Sequence, residues 1–136
     1  MKNLDKISLP VDELRQLKVG LVYLFGSQID GTSGPMSDID IGVVFSDPKI
    51  AKGNTLDIYN KLYLIFSDLF DNERIDLVLM ERASLELRSA AVRRGRVLFS
   101  ESDDFRDVFE HNTIMAYVDF KPILNSFDKA IFSRIK

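Results

Sequence analysis

The stretch Leu24–Phe45 reads LFGSQIDGTSGPMSDIDIGVVF, and the fold turns on it. Its second half alternates as a strand does. Ile39, Ile41, Val43 and Phe45 share one face, and Asp38, Asp40, Gly42 and Val44 share the other. Two carboxylates therefore leave one face of a strand otherwise built for a core. Like charges that close repel, and a charge near apolar surroundings is costly. The pair demands a neutraliser, either arginines or a divalent cation.

Upstream, Val19–Phe25 (VGLVYLF) is apolar at every position, as a central strand covered on both faces would be. Gly26 and Ser27 close that strand, and SQIDG leaves room for about one helical turn. The first amides of a helix lack internal partners and bind phosphate oxygens. Glycine lets a phosphate come close to the backbone, and the Ser27 hydroxyl adds a donor.

Further along, Pro10–Lys18 suits a short helix with proline at its start. Asn54 is placed to cap a helix over Thr55–Phe70, with Asp57 as the acid of a weak capping box. Leu56, Tyr59, Tyr63, Phe66 and Phe70 run down one side of that helix. Arg74–Met80 (RIDLVLM) is a third strand, with Asp76 opposite in sense to Ile75, Leu77 and Leu79. Ser84 opens a helix that Gly95 ends. Arg96–Ser100 is a short strand suited to an edge. Ser102–Phe120 is helical, and Pro122 is expected to kink or break the chain before a last segment through Ile135. The class is α/β (α+β): a small mixed sheet of three to four strands, with helices covering one face. One domain, 1–136, is expected, with C-terminal helices at about 102–135.

Composition narrows the function. The chain has 136 residues, 46% apolar and 29% charged, which is globular composition. It has no cysteine, so neither disulfides nor thiolate metal sites are available. The first ten residues lack a signal-type apolar core, and no run approaches the ~20 apolar residues of a membrane helix. A soluble, cytoplasmic protein is expected. The net charge of −3 disfavours direct nucleic-acid binding. The basic cluster Arg93, Arg94 and Arg96 suits a helix C-terminus, with a phosphate contact or partner surface as the alternative.

If the Arg74–Met80 strand pairs beside Ser37–Phe45, Asp76 joins Asp38 and Asp40 on one surface. Three carboxylates make a hard oxygen site, suited to Mg²⁺ or Mn²⁺ rather than zinc. A phosphate cradle facing such a site is the equipment of phosphoryl or nucleotidyl transfer.

These elements, GS, ten residues, then DID, with a third acid on a later strand, resemble the minimal nucleotidyltransferase (MNT) family of the DNA polymerase beta superfamily. The resemblance covers Val19 to about Phe99. It implies a polymerase-beta-type fold in which Gly26 and Ser27 hold the nucleotide phosphates and Asp38 and Asp40 bind the metals. Asp76 would help bind one metal and activate the acceptor hydroxyl. Asp30 stands where many relatives carry an arginine. Polymerases and antibiotic nucleotidyltransferases attach further domains, for which no room is expected here. Stand-alone members are similar to antitoxins paired with HEPN-type ribonuclease toxins. The resemblance thus implies Mg²⁺-dependent transfer of AMP from ATP to a hydroxyl, such as tyrosine, of a HEPN toxin, which neutralises it.

The alternatives are a catalytically weak module that inhibits its partner by binding, or a nucleotidyltransferase acting on a small molecule or RNA. Arg106 and His111 fit the R-x4-H pattern of HEPN ribonucleases, but that fold is all-helical and this chain has strands. Phe105, Val108, Phe109, Tyr117, Phe127 and Ile131 are expected to pack at home rather than meet a partner.

Overall fold

The computed structural model of the protein describes residues 8–25, 39–71 and 74–135, with 123–135 as backbone only. In chain order the elements are α1 (Val11–Gln16), β1 (Val19–Phe25), β2 (Ile39–Phe45), a 3-10 turn (Pro48–Lys52) and α2 (Leu56–Leu69). Then come β3 (Ile75–Leu79), a second 3-10 turn (Met80–Arg82), α3 (Leu85–Arg94), β4 (Arg96–Ser100) and α4 (Asp103–Ile135). The sheet order is β3-β2-β1-β4. β1 is antiparallel to both neighbours, and β2 and β3 are parallel. This is the expected mixed α/β class, with four strands and β4 at an edge.

β1 is buried along its whole length because both of its side-chain rows meet helices. Val22 and Leu24 join Ile39, Ile41, Val43, Ile75 and Leu77 in the larger core, which Leu14 of α1 and Leu62 and Phe66 of α2 complete. Leu21, Tyr23 and Phe25 form a second core with Val44, Met80 and Ala91, capped by Phe105 and Phe109 of α4. Helices thus lie on the second face as well as the first. The reason is the unbroken apolar sequence of β1, whose second row needs cover as much as its first. Phe105 and Phe109 pack at home, whereas Val108 stays exposed.

Ser84 caps its helix as expected, whereas Thr55 rather than Asn54 is the N-cap of α2, and Asn54 bonds the first helical amide from one residue further out. Ser84 Oγ accepts from the Leu87 N–H at 3.1 Å, and Asn54 Oδ1 accepts from the Leu56 N–H at 3.1 Å. Asp57 pairs instead with Lys61 at 3.1 Å, one helical turn on. Pro122 does not break the last helix: α4 runs through it from Asp103 to Ile135. A proline inside a helix forfeits one backbone bond, and on this exposed stretch water can take the freed carbonyl.

Buried polar groups find partners between layers. The Tyr23 hydroxyl donates to Glu110 Oε2 at 2.7 Å, and Arg106 Nε donates to Glu110 Oε1 at 3.3 Å. Burial, the Glu110 bond and the Glu110 charge all push the Tyr23 phenol far up, so it remains a neutral donor. At the far end of β2, the Phe45 N–H donates to Glu81 Oε2 at 2.7 Å. Burial raises the Glu81 carboxyl above its ordinary value, although the Phe45 bond and the nearby Arg88 charge oppose this.

Gly20 marks the close approach of α4 to β1. A Cβ there would lie 2.7 Å from both Cε1 and Cζ of Phe105. Gly20→Ala should therefore cost about 1–3 kcal/mol in denaturant unfolding, and adding Phe105→Leu should return part of it. Gly53→Ala, whose Cβ would find nothing nearer than 3.9 Å, should change stability by less than about 0.5 kcal/mol.

Glu81 gives a pH signature. A carboxyl raised on folding favours the native state while protonated, and that contribution fades as pH rises through the folded value. Glu81→Gln keeps an acceptor for Phe45 without the charge. Its stability relative to the parent chain should climb as pH rises out of the ordinary carboxylate range, read in paired denaturant titrations. A constant difference over that rise would show that Glu81 does not titrate on folding.

Candidate active site

β2 and β3 bring two of the three predicted aspartates together. In the parallel register Asp40 stands directly opposite Asp76, with Ile39 opposite Ile75 and Ile41 opposite Leu77. Partners in register point to the same face, and neighbouring strands lie about 4.8 Å apart. The isoleucines and leucines turn into the larger core, so both carboxylates turn the other way. Asp40 is half-buried between β1 and β3, and Asp76 is exposed on the edge strand. Across the other ladder Asp40 faces Phe25, the last residue of β1 and the one before Gly26.

Asp38, Gly26 and Ser27 lie outside the described residues, as does Asp30. Among the described residues no three acidic, histidine or cysteine side chains close a metal site by themselves. Asp40 and Asp76 nevertheless offer paired anionic oxygens, one sheltered and one open to solvent, which is the donor chemistry a hard divalent cation takes.

Within the basic cluster, Arg93 is engaged between the helices. Arg93 donates to Ser89 Oγ at 3.1 Å, and its guanidinium lies 5.0 Å from the Tyr117 ring centroid, tying α3 to α4. Arg106 is held by Glu110 one turn away, and His111 is exposed on the same helix, so the R-x4-H pair forms no buried site.

Tyr59 belongs to the neighbourhood of Asp76, which its place in the helical period alone could not reveal. Burial first, then the Asp76 charge and then Tyr63, push its phenol up. It stacks on Tyr63 with ring centroids 6.3 Å apart. Beside it a cavity of about 610 Å³ runs along β3, lined by Asn54, Tyr59, Leu77, Val78, Leu79 and Arg82. Consecutive residues of β3 line it, so it opens on the free edge of that strand, next to Asp76.

Residues 11–104 match the family model described as polymerase beta, nucleotidyltransferase. The chain belongs to the polymerase beta nucleotidyltransferase family. Within that family it is 34% identical over 102 residues to a protein adenylyltransferase MntA of Shewanella oneidensis, covering 74% of this chain and 67% of that one. It is 27% identical over 133 residues to a protein adenylyltransferase MntA of Aphanizomenon flos-aquae, covering 88% and 87%. A crystal structure of a toxin-antitoxin with AMP-PNP is similar at a TM-score of 0.71 and 27% identity, covering 96% of this chain and 99% of that one. The Aphanizomenon relative and the solved structure thus match nearly the whole chain and reach into α4, beyond the end of the family model.

If the facing carboxylates bind a cation, Mn²⁺ should broaden amide resonances around Asp40 and Asp76 in nuclear magnetic resonance spectra. Asp40→Asn should weaken the effect by at least about tenfold. Broadening that survives in an Asp40→Asn, Asp76→Asn chain would put the cation elsewhere.

Proposed function

We propose that this nucleotidyltransferase is the antitoxin of a toxin–antitoxin pair: a protein adenylyltransferase that moves AMP from ATP onto a hydroxyl of a HEPN-type toxin and silences it. A tyrosine is the proposed acceptor. The observation that carries the reading is the register of Asp40 against Asp76 beside an open strand edge, in a chain matched along most of its length by protein adenylyltransferases. A cytoplasmic location is proposed with it, since that is where the ATP donor is plentiful. No helix of the described residues is long and apolar enough to cross a membrane.

The chemistry is an in-line displacement at the α-phosphorus. The acceptor oxygen forms a bond to phosphorus while the bond to the pyrophosphate oxygen breaks, and one proton leaves the acceptor. A phenol is mostly protonated at neutral pH, its ordinary pKa being about 10. Asp76, exposed at the edge where an incoming side chain has access, is the group proposed to receive that proton. Asp38, Asp40 and Asp76 would hold Mg²⁺ or Mn²⁺, which supplies charge neutralisation for the phosphates when bound. Gly26 and Ser27 would offer backbone amides and a hydroxyl to the departing pyrophosphate. Asp40, sheltered between two strands, is the fixed member of the set; Asp76 is the accessible one.

The toxin co-expressed with the intact chain should gain AMP, seen by mass spectrometry and by transfer of label from α-labelled ATP. Asp38→Ala with Asp40→Ala should abolish the label and leave the complex intact. If that double variant still protects cells from the toxin as well as the parent chain does, inhibition is by contact and the transferase reading fails.

A further inference from the structure

β3 is an edge strand, and the phase of its ladder decides which of its backbone groups are left over. Ile39 stands opposite Ile75, and the Ile39 N–H donates to the Arg74 carbonyl. That phase repeats every second residue along the unbroken register, so Asp76 and Val78 turn their N–H and C=O groups toward β2. Leu77 and Leu79 turn theirs to the free side, where no described residue bonds them. Their side chains enter the larger core all the same. Leu77 is 5% and Leu79 7% exposed, against 0% for Ile41 and Val43 in the same apolar row of β2, as an open outer border requires.

The cavity of about 610 Å³ follows this border. Leu56 and Tyr59 of α2 line it on the core side, and Leu56 is 65% exposed. Arg82 fixes the loop that forms a further wall: its Nε donates to the Ala51 carbonyl at 2.9 Å and its Nη2 to the Gly53 carbonyl at 3.2 Å. An unpaired edge is a template for another strand, and proteins that must prevent this place charge, proline or a bulge along it. Leu77, Val78 and Leu79 carry none of these. A donor and an acceptor recurring every second residue beside apolar walls fit an extended peptide backbone.

The strand also indicates which peptide. Asp76 is the next residue along from Leu77 and is exposed. Residues in register on neighbouring strands point to one face, about 4.8 Å apart. A segment seated on Leu77 and Leu79 therefore puts every second side chain on the face of Asp76, and diagonal neighbours are within reach of an aromatic ring. Its other side chains fall toward Leu56 and Tyr59. We propose that the free edge of β3 takes up the acceptor segment of the partner toxin as an added strand and so presents its tyrosine to Asp76. The proposal rests on the adenylyl-transfer reading. In an all-helical toxin the segment is a loop or a terminal tail, apolar at the positions that alternate with the tyrosine.

The test is residue-resolved amide hydrogen exchange on the full chain carrying Asp38→Ala and Asp40→Ala, alone and saturated with the co-expressed toxin, which then stays unmodified. Alone, the Leu77 amide should exchange faster than that of Val78, which is held in the ladder; toxin should slow Leu77 at least about tenfold. In the otherwise intact chain Leu56→Asp suits the first turn of α2 and should fold. It should raise the KM for toxin at least about tenfold, with kcat and ATP affinity kept. Leu77 exchange unchanged in a complex shown to form overturns the proposal, even where the intact chain labels the toxin. An unchanged KM in Leu56→Asp overturns it as well. Leu77 protection that grows with the concentration of the chain alone overturns it in favour of edge pairing between two copies. Protection by toxin without labelling by the intact chain overturns instead the transferase reading, and with it the acceptor role of the segment.

Discussion

The Ile39 N–H donates to the Arg74 carbonyl at 2.8 Å, and the parallel ladder of β2 and β3 starts there. Everything functional in the chain depends on the register that this pairing sets. Side chains alternate with a period of two, so a slip of one residue would swing Asp76 into the larger core and Ile75 or Leu77 out. The apolar row guards against such a slip from behind: Ile75, Leu77 and Leu79 enter the core in the register that sets Asp76 opposite Asp40. Parallel strands cannot be joined by a tight turn, so the chain between them must cross over the sheet. α2 is that crossover, and its Leu62 and Phe66 close the core that enforces the register.

Much of this was legible in the residues. Alternation in IDIGVVF and RIDLVLM was enough to put both aspartates on the faces they occupy, because only one face of each strand is apolar throughout. The cap at Ser84 was legible because capping is local. What depended on distant partners was not. VGLVYLF announces two buried faces, but nothing in it says which helices cover the second. Tyr23 is an apolar-run tyrosine until Glu110, far along the chain, accepts its hydroxyl. Tyr59 reads as one more aromatic on a helix face, yet it senses the Asp76 charge across the edge of the sheet. Pro122 carries a strong local signal for a break, and helix propagation from both sides overrides it. Asp38, Gly26 and Ser27 remain readings of the sequence.

The two faces of the sheet divide the work. On one, aliphatic rows and α2 make a purely apolar core. On the other, apolar and polar demands meet. Asp40 and Asp76 occupy one end, Gly42 the middle and Val44 the other end. A Cβ on Gly42 would lie 2.6 Å from Met80 Sδ and 3.1 Å from Phe25 Cε1, so the packed middle isolates the ends from each other. This separation keeps the aspartates clear of the greasy contacts that seat α3 and α4.

The place of β1 between β2 and β4 bears on how the chain is made. β1 is synthesised well before β4, and Leu21 pairs with Ser100 in β4. Until that late strand arrives, one border of the most apolar strand in the molecule has no neighbour. Loop closure over so long a stretch is entropically slow, and half-built sheets invite association with other chains. The nascent protein thus passes through a vulnerable interval set by topology alone. A partner or chaperone present during translation would protect it most before β4 docks.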